Sequence, residues 1–189
     1  MDRIGAPLSS GKHPPVAFAV TAPATAGAIL SAMPPKPSYV GHNTRERARL
    51  RTLVERLSDD DLGSAVNESW TVAGVLGHIA FWDGRALFLT DKLMRGEPFS
   101  LSDEEPEDVD WINDASRPLI HAIAPREVAM LAVRIADETD RRVASLAPEL
   151  IARSWPEDPN SPLNPLRAAH RGEHLDEIEA ALKKRTPVD

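Results

Sequence analysis

Between residues 72 and 95 apolar side chains return with a helical period, at Val75, Ile79, Trp82, Ala86, Leu89 and Leu93. Steps of three, four and seven place all six on one face of an α-helix. An apolar stripe must be covered by other elements, so this run commits the chain to a packed core. Thr71 stands where an N-capping hydroxyl belongs, and Gly96 with Pro98 marks the stop. His78 lies three residues after Val75 and four before Trp82, so it shares the inward face.

The rest of the chain repeats that period. Leu50, Leu53, Val54 and Leu57 form one stripe over residues 44–57. Val128, Leu131, Ile135, Thr139, Val143 and Leu146 form another over 126–146, with Pro125 suited to the first helical turn. Residues 163–184 read as a closing helix. A shorter helix is expected over 108–122, where Pro118 should kink or break it. The acidic connection 97–107 is long for a helix hairpin and reads as a crossover over the end or side of a bundle. Residues 148–162 read as a loop. No alternating strand pattern, internal repeat or glycine-rich phosphate loop is found. The expectation is an all-α, up-down four-helix bundle with one short extra helix in the crossover. The second and last long helices are expected to run parallel.

Two segments follow. Residues 1–41 are proline-rich without sustained period and read as a disordered or weakly structured leader. Residues 15–33 come closest to a secretory signal, but Pro23 and the alanine–threonine composition favour the leader reading. Residues 42–185 carry the bundle. The net charge of −7 lacks the basic stripe of a nucleic-acid surface. No uninterrupted apolar run reaches the roughly 18 residues of a transmembrane helix. The expected partner is a small-molecule substrate, with neither nucleic acid nor membrane, in the cytoplasm. There is no cysteine, which removes disulfides, thiolate metal sites and a catalytic thiol.

The chemistry concentrates on the closing helix. His170 and His174 are four residues apart, so both imidazoles share one helix face. With His78 they make three nitrogen donors and leave coordination positions open, the pattern of a catalytic rather than a closed structural metal site. An all-nitrogen set suits zinc, nickel, iron or copper better than magnesium or calcium. The competing reading is three hydrogen-bonded core histidines. Glu177, three residues beyond His174, is either a partner fixing a histidine tautomer, a general base, or a carboxylate in solvent. Trp82 and Trp111 are candidate pocket-lining residues, with core packing as the alternative. Asn113 and His121 fall on the short helix, on sides the sequence leaves open. Asp83, five residues past His78, is expected at the surface or rim.

The stretches WTVAGVLGHIAFWD at 70–83, VDWIND at 109–114 and HRGEHLDEIEAAL at 170–182, in this order and spacing, resemble the DinB/YfiT-like metalloprotein superfamily. That fold is shared with the metal-binding domain of mycothiol-dependent maleylpyruvate isomerase. The resemblance covers about residues 43–184. It implies a four-helix bundle holding a divalent metal (zinc, nickel or iron) through His78, His170 and His174. In the mycothiol-dependent branch a glutamate replaces the first residue of the final pair. His170 stands there in this chain, nearer the general three-histidine branch. The implied activity is a metal-dependent transferase or hydrolase that activates an external thiol or water against a small electrophile, with a low-molecular-weight thiol as the second cofactor. The alternative is a non-catalytic sequestration protein of stress or toxin resistance. Relatives often pair through bundle faces, so a homodimer is compatible with the resemblance.

Overall fold

A computed structural model describes residues 37–104 and 109–185. The elements are α1 (Pro37–Arg56), α2 (Asp59–Leu62), α3 (Val72–Met94), a 3₁₀ turn (Leu101–Asp103), α4 (Asp110–His121), α5 (Pro125–Ala144), α6 (Pro148–Ile151) and α7 (Ala168–Arg185). Among the described residues the only extended pairing is an isolated bridge between Ala65 and Thr71. The chain is all-α, and α1, α3, α5 and α7 form the expected four-helix bundle, with α4 as the extra helix in the crossover.

The helix directions follow from paired side chains. Asn43 bonds the backbone of Ala168, Arg49 reaches Asp176, and Arg56 reaches Glu179, so α7 runs with α1. Gly77 lies against Val128, the Asp83 carbonyl accepts from Thr139, and Asp91 pairs with Arg142, so α5 runs with α3. Between α3 and α7 the order reverses. His78 faces His170, Asp83 takes Arg171 and Arg167, and Arg85 donates to the Pro162 carbonyl. The four long helices therefore run up, down, down, up. This corrects the expected parallel run of the second and last helices. The long connection from α3 to α5 does cross over, which makes those two parallel and leaves α7 to return against α3.

The start of α3 is as expected: the Thr71 hydroxyl accepts from the Gly74 amide at 3.0 Å. All six stripe residues of α3 are buried. By length and composition α3 could cross a membrane, but most of it is buried inside the bundle. Two apolar clusters fill the core. One joins the C-terminal half of α1, the first turns of α3 and α5, and the latter part of α7. The other joins the opposite ends of α1, α3 and α5 with Ile151 of α6 and Leu163.

Other boundaries moved. The first helix starts at Pro37 rather than 44, because Tyr39 is buried in the second cluster. The leader otherwise falls outside the described residues. Pro118 lies inside α4 without ending it. On α5 the buried face carries Ala129, Ala132, Val133 and Ala136, while Leu131 and Ile135 are only partly covered. Small residues let helices approach closely. A Cβ at Gly77 would overlap Ile120 and stand 2.9 Å from Val128.

Candidate metal centre

His78 is the seventh residue of α3, where its ring is carried inward by the same period that buries Val75, Ile79 and Trp82. His170 and His174 come from the first two turns of α7. The antiparallel packing of α3 and α7 brings the three rings together. Their centroids are 5.2 Å apart for His78 and His170, and 4.7 Å for each remaining pair. One nitrogen from each ring lies within 4.8 Å of the others. The Nε2 atoms of His78 and His170 face each other at 3.2 Å. Two nitrogens on one tetrahedral zinc, at about 2.0–2.1 Å each, are separated by about 3.3 Å.

Protonation favours ligation. Burial, with a smaller contribution from His174, holds His78 down to about 4. Burial, with the Arg167 guanidinium next in weight, holds His170 down to about 2. Both rings are neutral near neutral pH, which is the form that binds metal. His174 Nδ1 is 2.9 Å from Glu177 Oε2. An ionised carboxylate only accepts, so Nδ1 carries the proton and Nε2 keeps its lone pair. His170 Nδ1 is buried without a hydrogen-bond partner. Ligation through Nε2 leaves this Nδ1 as it is, so the orphan favours neither a metal nor a hydrogen-bonded core. What fits a divalent cation is the convergence of three ring nitrogens with open positions beside them.

The rings open onto a cleft of about 400 Å³ whose walls include Trp82, Arg85, Asn113, Arg167 and Glu173. The Trp82 indole N–H donates to Asn113 Oδ1 at 3.1 Å, fixing both side chains at the wall. The structure brings His78, His170, His174 and Trp82 together. Trp111, the other expected lining residue, is instead 61% exposed and lies outside the cleft, and its neighbour Asn113 takes that place. His121 packs edge-on against Trp70, away from the cleft. Glu177 is committed to His174 and also lies outside the cleft, which favours the tautomer-fixing reading over the general base.

Asp83 is the larger correction. Expected at the surface or rim, it is fully buried. Its carboxylate takes Arg171 Nε at 2.6 Å and Arg167 Nε at 3.0 Å. Arg171, also fully buried, turns its terminal nitrogens to Asp140 of α5 at 2.9 Å. Sequence reasoning missed this group. Its one signal was an arginine adjoining His170 on a helix whose neighbours had to be packed. Arg171 lies one residue from His170, about 100° around the helix, so one ring faces the cleft while the guanidinium faces the interior.

Comparison with family models matches residues 42–175 to the DinB superfamily. Neither the comparison with curated proteins nor that with solved structures finds a match.

Proposed function

We propose, from the premise that the chain belongs to the DinB superfamily, that it is a metal-dependent transferase or hydrolase acting on a small electrophile. The observation that carries this reading is the convergence of three imidazole nitrogens within 4.8 Å at an open cleft. His78, His170 and His174 would hold the cation, with zinc, nickel and iron suited to the donor set. Such an ion supplies Lewis acidity toward a water, a thiol or a carbonyl. The chain's own residues prepare the site. Burial keeps two of the rings neutral, and Glu177 fixes the tautomer of the third. The Trp82 ring, held by Asn113, gives the cleft an apolar wall that keeps water from one side of a bound molecule. Since the chain has no cysteine, a thiol nucleophile would come from a small co-substrate.

Metal analysis of the purified protein beside His170→Ala tests this. The expected result is near-stoichiometric divalent metal in the wild type and a large loss in the variant. Equal metal in both, or none in either, would overturn it. A reaction that proceeds without added thiol assigns the hydrolase form. One observation favours a second reading, sequestration without turnover: Glu177, the first candidate base, is engaged with His174. Turnover that disappears on chelation and returns with metal excludes sequestration.

A further inference from the structure

The buried Asp83–Arg171 pair is the centre of a longer array. Starting at the surface of α1, Arg51 pairs with Asp137 at 2.5 Å, and Asp137 with Arg47 at 3.3 Å. Arg47 reaches Asp140 at 3.4 Å, Asp140 takes Arg171 at 2.9 Å, and Asp83 joins Arg171 at 2.6 Å to Arg167 at 3.0 Å. The charges alternate through the bundle, four guanidiniums with three carboxylates between them, and both ends are cationic. One end, Arg51, is in solvent. The other, Arg167, lines the cleft beside the histidines.

Arg167 is poised rather than satisfied. Its side chain is 12% exposed, and its Nε is spent on Asp83, a carboxylate it shares with Arg171. Within the described residues its side-chain hydrogen bond is made through Nε, and its terminal nitrogens make none. Its field already reaches the centre, where it is among the influences keeping His170 neutral. Glu173 is the one carboxylate of the cleft wall among the described residues, and the ion pair of Arg167 is with Asp83 instead. A guanidinium fixed through Nε presents two parallel N–H donors, the arrangement that matches a carboxylate.

We infer that Arg167 is an anion subsite, and that the cleft takes a small carboxylate-bearing molecule whose carboxylate sits on the Arg167 terminal nitrogens while its reactive group lies over His78, His170 and His174. This rests on the proposed function for the reactive end, whereas the carboxylate end stands on Arg167 alone. The carboxylate belongs either to the thiol co-substrate or to the electrophile.

The test is equilibrium binding to the metal-loaded protein, read by tryptophan fluorescence or calorimetry, of three thiols differing in charge: mercaptoacetate, 2-mercaptoethanol and 2-mercaptoethylamine. Succinate serves as a carboxylate without thiol. In the wild type mercaptoacetate is expected to bind about tenfold or more tighter than 2-mercaptoethanol, as a charge-assisted hydrogen bond requires, with 2-mercaptoethylamine weakest. Arg167→Gln, compared at equal metal loading, should abolish this ranking, and Arg167→Lys should keep most of it. Equal binding of the three thiols by the wild type overturns the proposal, and that measurement needs no variant to fold. A ranking that survives in Arg167→Gln also overturns it, since simple chelation of the metal by thiol and carboxylate would behave so. Succinate binding that depends on Arg167 assigns the carboxylate to the electrophile; a preference confined to mercaptoacetate assigns it to the thiol. If the protein holds no metal, the proposed function fails, but Arg167-dependent succinate binding still supports the subsite and its absence overturns it.

Discussion

Helix α3 meets its two long neighbours in different ways. Toward α5 the contact is mostly dry and close, with Thr139 on the Asp83 carbonyl and Arg142 on Asp91 as polar links further along: Gly77 lies on Val128, and Ala129, Ala132 and Ala136 are buried in the same cluster as Ala73 and Ala80. Toward α7 it is polar, with three imidazoles and the Asp83–Arg171–Arg167 group across the contact. The dry side gains from apolar burial and tolerates error in register only to the width of a methyl group. The polar side gains little net stability from its charges, because each must first be taken out of water. What the charges add is a fixed lengthwise and rotational setting of α7, and that setting places His170 and His174 opposite His78. One interface stabilises the bundle and the other aligns the site.

The sharpest way to break this contrast is Arg171→Met. It removes the buried cation between Asp83 and Asp140 and leaves them only Arg167 and Arg47 as partners, and breaking a buried pair by removing one partner costs about 3–5 kcal/mol. Urea unfolding should show that loss, with metal affinity falling as well. A loss below about 1 kcal/mol would mean that the polar contact sets nothing. Gly77→Ala strikes the dry side. The new methyl must displace Ile120 and Val128, and overpacking of this kind costs about 1–3 kcal/mol. Here the melting temperature should fall while metal stoichiometry holds. Glu177→Gln separates alignment from folding. Exchanging the charged acceptor that orients a ligand for a weaker, neutral amide is expected to weaken metal binding by about 10-fold, at the low end of the range for such partners, measured by competition with a chelator, and the metal-free protein should melt unchanged. Trp111→Ala should do least. An exposed side chain outside the cleft is expected to change stability by no more than about 0.5 kcal/mol, and metal binding should not respond.

The same contrast separates what could be read in the sequence from what could not. The stripe of α3, its Thr71 cap and the inward face of His78 were legible, because a helical period fixes which face is buried. The pairing of His170 with His174 was legible for the same reason. Periodicity says nothing of direction, so the antiparallel run of α3 and α7 was missed; the crossover that sets it is a tertiary choice. Asp83 was misplaced because a carboxylate off the apolar stripe ordinarily finds water. It is buried only because Arg167 and Arg171, more than eighty positions later, arrive to pair with it. On α5 large aliphatic residues drew attention, yet the alanines mark the close contact. Trp111 shares α4 with Asn113, and the sequence alone did not tell which would reach the cleft.

One consequence follows from the 92 positions that separate His78 from His170 along the chain. Two donors of the centre are neighbours on α7, but the third is almost half the chain away, and no local segment contains all of them. The complete donor set therefore exists only after the last helix has closed against the second. Closure of so long a loop carries an entropic cost before any contact repays it. In a chain made from its N-terminus, His78 is buried or waiting long before its partners emerge. An ion held by the three imidazoles would be acquired at the end of folding, and would report that the bundle had closed in the right register.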